Sequence, residues 1–328
     1  MKLVKGVKTF MRVLTVTLNP ALDRELILPN FAINKLHRLR NPSDSVMTPG
    51  GKGINVSMIL DSMGISNVAM GILAGYVGRI VEEELRRLHP DITLNFVYTD
   101  GETRENITVI DPMNDTITEI NSPGPLVSER ELEIFYKRYL MTLPRVELVV
   151  ISGSAPPGVD EGYCLKLVKA AKSKGKVVFM ESIGPFFDRV LQKDCPQVVR
   201  ADLRKEKRVL GHELKEFQDY VELAKEIRRL GAKAVVLSYK IVSDVVATEE
   251  GVWKFTIKDH VEVSHLLGTG DAFVAGMVYA VLKSLSYYEV LKYGMAAAIA
   301  EIRHLRKSEL SIEDIERELQ SFDIERIE

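Results

Sequence analysis

Gly268-Thr269-Gly270-Asp271, running on into Ala272-Phe273-Val274-Ala275-Gly276-Met277-Val278-Tyr279-Ala280-Val281-Leu282, is the stretch from which the rest of the chain is read. Its glycines allow a tight turn and a close backbone approach to a ligand. The run behind them is apolar on every side, which predicts a buried helix over 270–282. A buried helix that begins at a glycine turn offers unpaired N–H groups and the positive end of its dipole, hence an anion site. Asp271 falls in the first turn. A carboxylate there can take a proton from a hydroxyl while the amides hold developing negative charge. Taken alone, the same residues also suit an ordinary glycine turn whose acid complements the helix dipole.

Pro49-Gly50-Gly51-Lys52-Gly53-Ile54-Asn55-Val56 is a second glycine-rich entry to a helix. Lys52 adds positive charge, and Asn55 can donate and accept hydrogen bonds near the helix start. A plain glycine loop with a solvated lysine would look the same, but two such entries in one chain favour a phosphate-handling enzyme. Other phosphate motifs are excluded. Phe273 stands where GxGxxG needs its last glycine. Gly51-Lys52 and Gly175-Lys176 are followed by Gly53 and Val177 rather than Ser or Thr, so there is no P-loop.

Outward from these motifs, strand-like and helix-like segments alternate. Strands are predicted over 12–18, 68–73, 146–151, 176–180 and 233–238, and helices over 54–63, 79–88, 162–173, 216–230, 270–282 and 288–302. The alternation predicts an α/β fold, a three-layer α/β/α domain around a mainly parallel sheet. Residues 25–47 and 93–120 break the rhythm with short runs such as Ile107-Thr108-Val109-Ile110 and Thr116-Ile117-Thr118. They predict small antiparallel strands that form an extra sheet over one end. The domain reading is therefore one large unit over 11–24, 48–92 and 121–328, a small β-sheet lid from 25–47 and 93–120, and residues 1–10 as an extension.

The 328 residues are 46% hydrophobic and 27% charged, enough apolar material for a large core and too much for disorder. Lys and Arg number 44 against 46 Asp and Glu, a formal charge of −2. That balance argues against a nucleic-acid partner, although a small phosphorylated substrate needs only a few basic residues. Cys164 and Cys195 lack metal-ligand spacing and the six histidines form no paired-ligand pattern, so no protein-bound metal is expected. The apolar run after Lys2, Lys5 and Lys8 stops at Asn19-Pro20, too short for a signal peptide or a membrane span. A cytoplasmic chain without a membrane partner is expected.

The two glycine motifs resemble the two signatures of the PfkB/ribokinase-like carbohydrate kinase family, through Gly50-Gly51-Lys52-Gly53-Ile54-Asn55 and Gly268-Thr269-Gly270-Asp271-Ala272-Phe273. Further segments resemble its 1-phosphofructokinase and tagatose-6-phosphate kinase branch: Thr15-Val16-Thr17-Leu18-Asn19-Pro20-Ala21-Leu22-Asp23, Gly101-Glu102-Thr103-Arg104-Glu105-Asn106-Ile107, Thr118-Glu119-Ile120-Asn121-Ser122-Pro123-Gly124-Pro125 and Ser152-Gly153-Ser154-Ala155-Pro156-Pro157-Gly158. These matches run in order along nearly the whole chain.

The resemblance implies a ribokinase-like fold whose lid closes over the sugar and often makes a homodimer contact. It implies transfer of phosphate from ATP, with Mg²⁺, to fructose 1-phosphate or tagatose 6-phosphate, with fructose 6-phosphate next. Asp271 would be the catalytic base, and Gly268, Thr269 and Gly270 the anion hole. Asp23, Gly50, Gly51, Asn55 and Asn106 would line the sugar pocket. Arg104 would grip the phosphate already on the substrate, helped by Lys52 or Lys35; without the surrounding motifs, Arg104 and Lys35 would read as solvated charges and Asp23 as a turn cap. Arg200, Asp202 and Ser238 would face the nucleotide.

The nucleotide side departs from the family pattern. Lys-Pro-Asn-x-x-Glu is replaced by Arg200-Ala201-Asp202-Leu203-Arg204-Lys205, which reverses the sign of its last residue. Ser-x-Gly-x-x-Gly becomes Ser238-Tyr239-Lys240-Ile241-Val242-Ser243, and Asp-x-Ser-Gly becomes Glu181-Ser182-Ile183-Gly184. Two alternatives therefore stand beside the ATP-dependent phosphosugar kinase: a related kinase with another acceptor or donor, and a non-catalytic sugar-phosphate binder.

Overall fold

A computed structural model describes residues 11–204, 207–261, 266–304 and 309–328. The proposed extension 1–10 and the sign-reversed Lys205 lie outside the described residues. The chain opens with β1 (Val13–Thr17), β2 (Ala21–Ile27), β3 (Ser45–Gly50), α1 (Lys52–Ser62), β4 (Asn67–Ala74), α2 (Gly75–Leu88), β5 (Thr93–Thr99), β6 (Arg104–Asp111) and β7 (Thr116–Asn121). It continues through α3 (Glu129–Thr142), β8 (Leu148–Ser152), α4 (Glu161–Ser173), β9 (Val177–Glu181), α5 (Pro185–Asp194), β10 (Val198–Ala201), β11 (Arg208–Val209), β12 (His212–Glu213), α6 (Phe217–Arg229), β13 (Ala234–Lys240), β14 (Ser243–Thr248) and β15 (Gly251–Ile257). It closes with α7 (Thr269–Leu282), α8 (Tyr287–Arg303), α9 (Ile312–Arg317) and β16 (Phe322–Arg326).

Ten strands form the central sheet in the order β16-β15-β14-β13-β10-β9-β8-β1-β4-β5. The seven from β13 to β5 run parallel, and β14, β15 and β16 add an antiparallel edge. The inner strands are apolar throughout because helices cover both of their faces. Their side chains nonetheless divide by the period of two. Leu14, Val16, Val149 and Ile151 join the layer with α3, α4, α5 and α6, whereas Val13, Leu148 and Val150 join the layer with α1, α7 and α8. The helix α7 is buried over its first twelve residues, as its all-round apolar sequence requires. The α/β/α architecture expected from the sequence is the one found.

The small sheet has the order β3-β2-β6-β7. Its outer pairs run antiparallel and the central pair, β2 with β6, runs parallel. Its boundaries differ from the expected 25–47 and 93–120. It begins at Ala21, and β5 is not part of it: Thr93–Thr99 pairs in parallel with β4, from Val68↔Thr93 to Ala74↔Thr99. Leu94 and Phe96 pack with Leu73, Val81 and Leu85 beneath α2. Half-buried alternation in a sequence marks an edge strand but does not say which sheet owns the edge. No helix among the described residues is long and apolar enough to cross a membrane.

Candidate active site

Parallel strands bring their C-terminal ends to one side of a sheet, and that side is where open α/β folds bind ligands. Here Thr17, Ser152, Glu181 and Ala201 end β1, β8, β9 and β10, and Ser238 lies near the end of β13. The N-termini of α1 and α7 meet over them. Gly268 precedes α7 with φ +83, a left-handed conformation that disfavours any side chain. The Thr269 hydroxyl donates to the Leu266 carbonyl at 2.8 Å and closes the turn. Gly270 and Asp271 follow in the first helical turn, where amides have no carbonyl one turn back.

Asp271 is 5% exposed. Its Oδ2 accepts from Asn55 Nδ2 at 2.8 Å, and its Oδ1 lies 3.7 Å from Lys52 Nζ. Among the described residues Oδ1 has no hydrogen-bond donor. Burial raises its pKa to about 6, against the pull of Lys52; the negative charge of Glu181 adds to the rise, and the Asn55 bond opposes it. Such a carboxylate is ionised at neutral pH yet basic enough to take a proton.

The sugar-side residues converge through strand register. Asp23 on β2 stands opposite Asn106 on β6 and Thr48 on β3. Asn106 Nδ2 donates to Asp23 Oδ1 at 2.8 Å. At the end of β3, Gly50 packs so closely on the Asp23 carboxylate that a Cβ there would collide with it. Gly51 then caps α1, which carries Lys52 and Asn55 to Asp271. Arg104 is opposite Ala21, and its guanidinium donates to the carbonyls of Asn19 at 3.0 Å and Ser122 at 3.4 Å. Its Nε is buried and has no hydrogen-bond partner among the described residues. Burial lowers the Arg104 pKa, and the Asp23 charge works against that shift. Lys35 is not brought into this network: it is exposed on the 28–41 loop.

On the other side, Arg200 is 4% exposed and donates to Glu181 Oε1 and, at 3.3 Å, to Ser238 Oγ. Its guanidinium carbon sits 5.4 Å from the centre of the Phe273 ring. Asp202 does not contact Arg200 through a hydrogen bond; it accepts from Arg204 Nε at 2.8 Å. Burial would raise its pKa, but Arg204 and Arg200 hold it well below the usual carboxylate range. A shallow cleft opens here between the β13–β14 hairpin and α7 and α8, bordered by Arg200, Ser238, Asp244, Thr269, Phe273 and Met295. Where the family pattern has a glycine loop, β13 runs on to Lys240, which pairs with Ser243 across the two-residue turn Ile241-Val242.

Sequence reasoning noted Glu181 only as a departure from the family's Asp-x-Ser-Gly and assigned no role to it or to Ser152. Glu181 Oε1 accepts from Lys52 Nζ at 3.1 Å, and its Oε2 accepts from Ser152 Oγ at 2.9 Å. The signal was present in Val177-Val178-Phe179-Met180-Glu181: an acid that ends an apolar parallel strand points to the ligand side of the sheet. Asn19 was also passed over. It is 3% exposed, and its Nδ2 donates to the Pro123 carbonyl at 3.0 Å and to Ser154 Oγ at 3.3 Å. It thereby ties β1 to the loop whose Ser122 carbonyl holds Arg104.

Residues 27–312 match the model of the pfkB family carbohydrate kinases. Among solved structures, a Thermotoga maritima protein described as a possible 1-phosphofructokinase is 47% identical, with a TM-score of 0.92 over 97% of this chain and 100% of that one. Escherichia coli phosphofructokinase-2 in complex with fructose-6-phosphate is 25% identical, with a TM-score of 0.81 over 94% of this chain and 98% of that one. Arabidopsis thaliana ribokinase complexed with ribose and ATP, at 16% identity and a TM-score of 0.71 over 94% of this chain and 99% of that one, shares the fold. The match over most of the chain, on a site whose two glycine turns meet at a buried aspartate, shows that the protein belongs to the pfkB family of carbohydrate kinases and is an ATP-dependent sugar kinase.

Proposed function

We propose that the chain is a phosphosugar kinase that transfers the γ-phosphoryl group of ATP to a hydroxyl of a ketohexose phosphate, fructose 1-phosphate or tagatose 6-phosphate, to give a bisphosphate. The observation that carries this reading is the position of Asp271. It lies between the paired Asp23 and half-buried Arg104 on one side and the Arg200 cleft on the other. The acceptor hydroxyl would give its proton to Asp271 Oδ1 as its oxygen bonds to the γ-phosphorus. The bond from that phosphorus to the β-phosphate bridging oxygen breaks, and ADP leaves with the electron pair. The amides of Gly268, Thr269 and Gly270 would hold the charge that develops on the phosphoryl oxygens. Asp23, Gly50, Gly51, Asn55 and Asn106 would shape the sugar pocket, with Lys52 adding charge. Arg104 would take the phosphate of the substrate, since a guanidinium fork matches phosphate oxygens better than an ammonium does.

The lining of the nucleotide-side cleft supports a phosphate donor by its chemistry: it is cationic at Arg200 and apolar at Met295, Ala298 and Ile302. Arg200 Nε, buried and without a partner among the described residues, would serve phosphate oxygens. No three His, Cys, Asp or Glu side chains cluster as a metal cage among the described residues. Magnesium would therefore arrive on the donor's phosphates, which hold it with several of its waters kept, and would supply charge neutralisation there. A homodimer through the small sheet is part of this proposal. Val46, Met47 and Ile120 lie exposed on it, at 44%, 50% and 58%.

The hairpin that replaces the family's glycine loop favours a second reading, a related kinase with another acceptor or donor. One panel decides between them: fructose 1-phosphate, tagatose 6-phosphate and fructose 6-phosphate against ATP, GTP, ADP and pyrophosphate, with Mg²⁺. Fastest turnover on a ketohexose phosphate with ATP is expected. Faster turnover with another acceptor or another donor would establish the second reading instead.

A further inference from the structure

We infer that Glu181 is a positioning residue that holds Lys52 off the free oxygen of Asp271 and fixes Arg200 beneath the anion-binding turn, so that one carboxylate aligns both halves of the site. The inference rests on the reading of Asp271 as the base. Glu181 is 1% exposed at the end of β9, and three neighbouring elements supply its partners. Lys52 from α1 donates to Oε1 at 3.1 Å, Arg200 from β10 donates to the same oxygen, and Ser152 from β8 donates to Oε2 at 2.9 Å. A buried carboxylate with both oxygens bonded on three sides has little freedom to move.

The consequence for Asp271 is a competition for one ammonium group. Lys52 Nζ stands 3.1 Å from Glu181 but 3.7 Å from Asp271 Oδ1. An ammonium group has three donors, but each reaches only an oxygen within about 3.5 Å, and Oδ1 lies beyond that. Glu181 therefore draws off Lys52 and leaves Oδ1 with its lone pairs open, as a general base requires. The consequence for Arg200 is reach. A Cβ placed on Gly270 would lie 2.8 Å from Arg200 Nη1 and 3.2 Å from Glu181 Oε1, so the guanidinium is pressed against the first turn of α7. The charged groups that face this cluster are Lys52, Arg200, Asp202, Asp244 and Asp271. Burial alone would raise the Glu181 pKa, but Lys52 and Arg200 hold it down and keep Glu181 ionised.

The test uses the full chain with ATP and fructose 1-phosphate, or the donor–acceptor pair that turns over fastest, and three variants. Glu181→Gln keeps the size and loses the charge. We expect kcat to fall about 10²-fold, the scale of a misplacement of about 1 Å. The acid limb of the kcat–pH profile should also move to lower pH, because Lys52 then pairs with Asp271 and a negative neighbour is gone. Glu181→Asp keeps the charge with a shorter reach. It should retain the wild-type acid limb and lose about tenfold in kcat.

A role in folding alone would lower the melting temperature of both variants while leaving the kcat and acid limb of the folded protein unchanged. That result overturns the inference. Removing one member of a buried charge cluster can prevent folding. If Glu181→Gln does not fold, Glu181→Asp decides, and wild-type kcat in that variant is equally fatal. Asp271→Asn separates the two levels. Wild-type turnover in that variant overturns the base and the inference together, whereas its inactivity beside fully active Glu181 variants overturns the inference alone.

Discussion

Replacing Asp271 by Asn changes one oxygen for a nitrogen and little else, so its effects can be worked out from the contacts. The new amide oxygen can still accept from Asn55 Nδ2, which in the wild type donates to Asp271 Oδ2 at 2.8 Å. Arg104 and Asp23 are untouched, so the sugar-phosphate KM should stay within about twofold, because the variant removes an interaction made in the transition state. Loss of a positioned general base typically costs about 10²–10⁴ in rate. An expected fall of about 10³ in kcat corresponds to about 4 kcal/mol of transition-state stabilisation.

The same carboxylate carries a stability signature of opposite sign. Its pKa is raised from 3.8 to about 6, so the folded state prefers the protonated form. Stability from this group is full below about pH 4 and is lost as pH rises through about 6. A rise of that size corresponds to about 3 kcal/mol for a group this buried. The carboxamide in Asp271→Asn does not titrate and avoids that cost, so the variant should melt at a higher temperature than the wild type at about pH 8, with the gap closing by about pH 4. The assays are ADP release from about pH 5 to 9 and calorimetric melts from about pH 4 to 8, a span that brackets both ends of the titration. Wild-type kcat should rise through about pH 6 to a plateau. A flat profile between about pH 5 and 7, or an inactive variant with no gain in melting temperature at about pH 8, would refute the account of Asp271 as a buried base.

Three further expectations test other parts of the site. Arg104→Lys replaces the fork held by the Asn19 and Ser122 carbonyls with a point charge, and should raise the sugar-phosphate KM about tenfold or more with a smaller change in kcat. Initial rates over a sugar-phosphate titration measure the split. Gly50→Ala puts a Cβ into the Asp23 carboxylate and should raise the same KM while sparing the KM for ATP; equal changes in both would show that Gly50 is not on the sugar side. Val46→Asp and Met47→Asp place charge on the exposed edge of the small sheet, and light scattering should show a dimer become a monomer. A wild-type monomer at micromolar concentration removes the homodimer from the proposal.

Much of the fold was legible because burial leaves a strong pattern. Strands covered on both faces, such as Asn67–Ala74, must be apolar nearly throughout. The helix from Thr269 to Leu282 must be apolar all round. The misread element is instructive: Thr93–Thr99 reads as a strand from its own residues, but its sheet is settled by contacts with Leu73, Val81 and Leu85. Asp271, Lys52 and Asn55 were named from the glycine turns themselves, and the other nucleotide- and sugar-side candidates from the resemblance those turns opened. Lys35 was named through the resemblance, and its exposed loop brings it to none of the site's side chains.

The amino-acid sequence by itself determined the α/β/α class, the two glycine entries to helices, the aspartate at the second of them and the family they signal. Each depends on local rules of helix, strand and turn that a few adjacent residues obey. Tertiary structure alone decided that Lys52, Ser152, Arg200 and Asp271 gather around Glu181, with Lys52 nearer to Glu181 than to Asp271. These residues come from five elements, and a difference of a few tenths of an ångström sets which carboxylate holds the ammonium group. Hydrogen-bond competition at that scale depends on how the elements pack, and no local pattern in the chain encodes it.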